Sequence, residues 1–262
     1  MGATLGVMES VLSLLREDGV THLGCATDHV ILSWRNDRYA GYKTDEGMAP
    51  ELLSQFGIVE DGLRALGVVV WPMVEFEADD GLAAAAARWA DHAEVERIVI
   101  LSPDKDMAQC VREDGRVVTF DRRAGRFYDA IGVKEKFGVP PASIPDYLAL
   151  VGDAADGFPG VPGWGAKSAA AVLQRYPHIE DIPPSISAWD VSVRGAANLA
   201  RALQDHRADA LLFRELATLR TDAPIPQTSP DELRWRGVDR EALAAMAERL
   251  RAPRLLERIP AH

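Results

Sequence analysis

At 262 residues with 47% hydrophobic and 26% charged content, the chain can bury one large core or two smaller ones, and it is neither disordered nor fibrous in composition. Its formal charge of -11 argues against a uniformly basic nucleic-acid binder, although a carboxylate-rich metal site would absorb much of that excess and leave local basic patches for phosphate. No apolar run approaches the roughly 20 residues of a bilayer span, and the first residues lack a charged stretch followed by an apolar one, so the expectation is a cytoplasmic protein with no membrane partner.

Leu5, Met8, Val11, Leu12 and Leu15 recur at helical spacing, which predicts an amphipathic helix from Ala3 to Arg16. Val20 to Thr27 reads as a strand that includes Cys25. Neither Cys25 nor Cys110 has metal-type spacing, so both read as buried thiols. Asp28 lies just past the carboxyl end of that strand, the edge where open α/β sheets bind ligands; a turn or cap role is the other reading of a lone Asp there. Trp34 to Lys43 interleaves Arg35, Arg38 and Lys43 with Tyr39 and Tyr42 without apolar periodicity. Such a pattern suits phosphate contact with base stacking, and equally a solvated loop with anchoring aromatics. Helical spacing from Glu51 to Leu66 stops before Gly67, and Val68 to Trp71 reads as a buried strand.

An acidic cluster follows, with Glu75, Glu77, Asp79 and Asp80 placed directly before an Ala-rich helix expected from Gly81 to His92. The positive end of a helix dipole favours carboxylates, so capping explains this cluster when it is taken alone. A strand from Arg97 to Leu101 then runs into Asp104-Lys105-Asp106. The alternation of strand and helix predicts a parallel sheet covered on both faces. Asp28, Glu77, Asp79, Asp80, Asp104 and Asp106 all fall at exits of these strands, and carboxylates converging from three separate exits are much harder to explain by capping. Asp104 and Asp106 share a direction if that stretch is extended.

Arg116 to Phe120 reads as a short strand, and Tyr128 to Phe137 and Ile144 to Val151 as helices. Asp153 and Asp156 are three residues apart, a spacing that places both on one face of a helix. Gly160, Gly163 and Gly165 permit a tight turn whose N–H groups can face a phosphate at the start of a helix from Ala169 to Arg175, with Lys167 adding a point charge beside Ser168. Helices from Val193 to Leu203, Ala208 to Leu219 and Arg240 to Leu250 complete the chain, with no internal repeat.

Several of these motifs stand in the order found in the 5′-nuclease family, the flap endonucleases and the 5′-3′ exonuclease domain of bacterial DNA polymerase I. The chain resembles that family from about residue 3 to 225 through Arg35 with Tyr39, Tyr42 and Lys43, through Glu77-Ala78-Asp79-Asp80 and Asp104-Lys105-Asp106, and through the run from Gly152 to Lys167. Lys136 to Pro141 and Glu215 to Leu219 also fit.

The resemblance implies an α/β fold, a mostly parallel sheet flanked by helices in a PIN-like core over 1–137, with an arch over about 34–50. A helical DNA-binding region over 138–262 would follow, with a helix–three-turn–helix element over about 144–176. It implies hydrolysis of phosphodiester bonds in branched or nicked DNA, or in RNA–DNA hybrids, by a monomer using two or more Mg²⁺ or Mn²⁺ ions. Asp28, Glu77, Asp79, Asp80 and Asp104 would hold or support the first ion, and Asp106, Asp153 and Asp156 the second. Arg35 and Lys43 would act at the scissile phosphate, with Arg38, Tyr39, Tyr42, Gly160, Gly163, Gly165, Lys167 and Ser168 on the DNA and K⁺ at the Gly160 to Gly165 hairpin.

Two departures accompany it. Glu46 stands where the family commonly has a second arch Arg. The family's first strand, which ends in a metal-binding Asp, has no counterpart before the Ala3 helix, so the resemblance implies an incomplete first metal position and impaired cleavage. The competing expectation is a structure-specific DNA-binding module that does not cut.

Overall fold

The computed structural model describes residues 1–17 and 19–260. In chain order it contains α1 (Gly2–Leu14), β1 (Gly24–Asp28), α2 (Trp34–Arg38), α3 (Pro50–Leu53), α4 (Phe56–Ala65), β2 (Val69–Met73), α5 (Ala78–Trp89) and β3 (Ile98–Ile100). It continues with β4 (Val117–Asp121), β5 (Arg126–Tyr128), α6 (Ala130–Phe137), α7 (Ile144–Val151), α8 (Ala166–Arg175), α9 (Ala196–Asp205), α10 (Arg207–Ala217), α11 (Arg240–Arg249) and α12 (Arg254–Glu257). A 3₁₀ turn spans Asp106–Cys110.

The chain divides into two compact units, one of Met1–Ser33, Thr44–Leu82 and Asp222–His262, the other of Trp34–Lys43 and Ala83–Thr221. In the first, β1 and β2 form a parallel pair in register from Gly24 opposite Val69 to Asp28 opposite Met73. Met8 and Leu12 of α1, Leu63 and Leu66 at α4, and Leu243 and Leu255 of α11 and α12 form its core, as their spacing along amphipathic helices requires. β1 begins later than the expected Val20 because the preceding residues pair elsewhere: His22 bridges Arg234, and the Leu23 N–H donates to the Leu233 carbonyl at 2.9 Å. The single helix expected over 51–66 is two, α3 and α4, and the Gln55 side chain sits at the break, donating to the Glu51 carbonyl at 2.8 Å.

The second unit carries a sheet in the order β3-β4-β5, with β3 and β4 parallel and β5 antiparallel at the edge. β5 had no periodic signal, since it is three residues long and turns Phe127 outward. The unit's core is helical, with Val133, Ile144, Leu148, Leu150, Leu173, Phe213 and Leu216 all buried. Helix α7 is tied at its side by Asp146, a buried carboxylate that accepts from the Ile179 N–H at 2.9 Å and pairs with His178 at 3.0 Å and Arg214 of α10 at 3.4 Å. A buried charge needs such compensation, and here it sets the position of the segment that follows α7.

That segment is closed on itself. The Asp153 N–H donates to the Phe158 carbonyl at 2.8 Å, while the Gly157 and Phe158 N–H groups donate back to the Asp153 carbonyl at 2.9 and 3.1 Å. Gly157 adopts φ 88°, and a Cβ there would lie 2.2 Å from the Gly41 carbonyl oxygen, so only glycine fits. Gly163 also has a left-handed φ, 81°, but faces open space. Gly157→Ala is therefore expected to cost about 2–3 kcal/mol of unfolding free energy and Gly163→Ala only about 1 kcal/mol, read from equilibrium urea unfolding.

Candidate metal centre

Asp106, Asp153 and Asp156 offer carboxylate oxygens that lie within 4.8 Å of one another, and all three residues are buried. Local chemistry puts them there. Asp106 opens the 3₁₀ turn, with its N–H donating to Asp104 Oδ1 at 3.0 Å. Asp153 is fixed by its own turn, with Oδ1 accepting from the Ala155 N–H at 3.0 Å, and Asp156 sits three residues on in the same closed turn. The expected helical face for Asp153 and Asp156 is corrected: helix α7 stops at Val151, Gly152 breaks it with φ 89°, and the two carboxylates meet through a turn. The extended arrangement of Asp104 and Asp106 is corrected likewise, because Asp104 is exposed and serves the Asp106 backbone.

Two ammonium groups lie on this trio. Lys105 Nζ is 2.7 Å from Asp153 Oδ2, and Lys43 Nζ is 3.0 Å from Asp156 Oδ1. Burial alone would lower the Lys105 pKa, but the hydrogen bond and charge of Asp153, helped by Asp106 and Asp104, carry it above the ordinary lysine value. Lys43 is held in place by its backbone as well: its N–H donates to the Asp156 carbonyl at 3.0 Å and its carbonyl accepts from Asn36 at 2.9 Å. Lys105 was missed as a functional residue by sequence reasoning. The available signal was a cation between two aspartates.

Of the carboxylates expected at a first metal position, Asp28, Glu77, Asp79 and Asp80 belong to the first unit and Asp104 to the second. Asp28 Oδ1 accepts from the Ala78 N–H at 2.7 Å, and Asp80 Oδ2 accepts from the Glu77 N–H at 3.0 Å. Both bonds close the start of α5, so the capping explanation holds for these two side chains. Glu77 is buried and accepts from the Ser33 hydroxyl at 2.8 Å, while Asp79 is part-exposed on the first turn of α5.

The residues expected on the arch divide between core and surface. Arg35 is 1% exposed, and its Nε donates to the Leu216 carbonyl at 2.7 Å, with the guanidinium against the Trp34 ring at 4.6 Å. It is an internal anchor, because a guanidinium out of water takes the nearest carbonyls. Tyr42 is buried in the core, and the half-buried Tyr39 packs edge-on against Phe213 at 5.7 Å. Arg38 is exposed but held in a two-bond pair with Glu215, both at 2.8 Å, which raises the arginine pKa and lowers that of Glu215.

In the hairpin after α7, Gly160 serves chain crossing, since a Cβ there would lie 2.4 Å from the Gly152 nitrogen. Gly165 precedes α8 and its N–H donates to the Ser168 hydroxyl at 3.0 Å, which leaves Gly163 and Lys167 as the exposed members of the set. Three buried oxygen donors without His or Cys match a hard divalent cation, and they disfavour soft-metal chemistry.

The family model for the 5′-3′ exonuclease N-terminal resolvase-like domain matches residues 1–138, and that for the 5′-3′ exonuclease C-terminal SAM fold matches residues 139–241. DNA polymerase I of Mycobacterium leprae is 35% identical over 260 residues, covering 98% of this chain and 28% of the polymerase. The Pseudomonas aeruginosa DNA polymerase I is 34% identical over 260 residues, covering 95% and 27%. The chain thus spans little more than a quarter of the length of these relatives. Among solved structures, the T5 D15 protein co-crystallised with metal ions aligns with TM-score 0.67 at 18% identity, covering 97% of this chain and 92% of that one. The catalytic core of Rad2 in complex with DNA substrate aligns with TM-score 0.60 at 13% identity, covering 97% and 81%. At these identities the structures speak for the fold, an α/β resolvase-like part with a helical SAM-like part. With both of the family's domains matched in order over 241 of its residues, the chain belongs to the 5′-3′ exonuclease family.

Proposed function

We propose that the chain is a divalent-metal-dependent 5′-3′ exonuclease and flap endonuclease, hydrolysing phosphodiester bonds in DNA with 5′ flaps, nicks or free 5′ ends, and in RNA–DNA hybrids. The observation that carries this reading is the buried trio Asp106, Asp153 and Asp156 within 4.8 Å. These residues would hold Mg²⁺ or Mn²⁺, and a divalent ion bound there supplies the Lewis acidity that phosphodiester hydrolysis requires.

The chain's own side chains do the rest. Lys43, at the edge of the trio, is the cation placed to meet a phosphate next to it. Lys167 at the start of α8 and the exposed backbone at Gly163 grip a duplex phosphate, so recognition follows backbone shape rather than base edges, and K⁺ on the hairpin carbonyls belongs to the same reading. The protein acts as a monomer.

A second reading, a DNA-binding module that does not cut, draws on Asp28 and Asp80, whose carboxylate oxygens accept backbone N–H groups at the start of α5. A labelled 5′-flap duplex incubated with the chain and Mn²⁺ or Mg²⁺ separates the two. Product that disappears with chelator establishes the nuclease; tight binding with no product selects the module.

Asp153→Asn should lower cleavage at least about a hundredfold while duplex affinity stays within about threefold, and a parallel loss of both would make Asp153 purely structural. Arg35→Met should lower unfolding free energy by about 1–3 kcal/mol through the carbonyls it leaves unsatisfied, whereas Lys43→Met, with Mn²⁺ present to replace its charge on Asp156, should lower cleavage with little change in stability. Lys167→Ala should weaken duplex binding and reduce the slope of log affinity against log salt by about 1, measured by fluorescence anisotropy across a salt series.

A further inference from the structure

Asp106, Asp153 and Asp156 bring three negative charges into one buried place, and the chain meets that charge from within. Lys105 stands on Asp153 at 2.7 Å and Lys43 on Asp156 at 3.0 Å. One divalent ion carries the same charge as two ammonium groups. Its arrival in the trio therefore makes the two lysines redundant and repels them.

Lys105 has the geometry to leave. Its side chain is 39% exposed whereas Asp153 is 4% exposed, so the lysine can reach water and its partner cannot. Lys105 also lines a small cleft with Asp104, Asp121 and Tyr128. Lys43 is less free, being 29% exposed and pinned through its backbone to Asp156 and Asn36.

We propose that Lys105 is a built-in counter-cation of the trio: it holds Asp153 when no metal is bound, and a divalent ion entering among Asp106, Asp153 and Asp156 displaces it. The proposal rests on the metal reading of the trio. In consequence Lys105 weakens metal binding while preserving the arrangement of the carboxylates, and its freed ammonium stands at the rim of the site as a ligand for phosphate. It is a positioning residue, acting through Asp153.

Calorimetric titration of Mn²⁺ into the full chain, with no DNA present, tests this alongside acylation of lysine amines read by peptide mass spectrometry. Lys105→Met should bind Mn²⁺ about three- to tenfold more tightly than the wild type, the scale of a lost partly exposed ion pair, and Lys105→Arg should stay near the wild type. In the wild type, Lys105 should acylate slowly in chelator and several-fold faster with Mn²⁺, a readout that needs no variant to fold. Unchanged Lys105 acylation, or Mn²⁺ affinity that is unchanged or weaker in Lys105→Met, would overturn the counter-cation role and leave the metal site standing. Absence of Mn²⁺ binding in both wild type and variant would remove the metal reading and this inference together.

Discussion

Three carboxylates within 4.8 Å repel one another, and burial removes the water that would weaken the repulsion. Much of the second unit is arranged to make that tolerable. The closed turn from Asp153 to Phe158 supplies N–H donors, the helix-side network at Asp146 holds α7 in place, and the ammonium groups of Lys43 and Lys105 sit directly on two of the three carboxylates. Glycines at 152, 157 and 160 take left-handed conformations because the chain must turn within this short span. A site of this kind is costly without a cation and well matched to one, and the same balance makes an internal lysine a competitor of an external ion.

The same residue type does different work a short distance along the chain. At the start of α5, Asp28 and Asp80 accept from backbone N–H groups that a helix leaves without partners. Capping and ligation are not exclusive in general, since a carboxylate has two oxygens. Around Asp153 three carboxylates meet within 4.8 Å, and at α5 Asp28 and Asp80 each take a backbone N–H.

Arginine and lysine in the 34–43 segment also part company. Arg35 is drawn inward because its planar guanidinium can satisfy main-chain carbonyls while stacking on Trp34. Lys43, a point charge on a flexible stem, stays half-buried on Asp156. A basic-aromatic stretch that read as one segment in the sequence became an anchor, a core tyrosine and a half-buried charge in the fold.

Sequence alone determined a good deal. Helical spacing located α1, α6, α7, α10 and α11 closely, strand runs ahead of acidic residues located β1 to β3, and the order of the motifs pointed to the family that the matched domains establish. It also named every member of the trio. Sequence could not decide which carboxylates meet, because Asp106 and Asp153 are distant in the chain and their approach depends on how the 3₁₀ turn and the end of α7 pack. Nor could it tell that Arg35 and Tyr42 point inward, since burial is a property of neighbours supplied by Phe213, Leu216 and the rest of the helical core. Local spacing is written in the chain, whereas charge compensation between distant side chains exists only once the tertiary structure has brought them within reach.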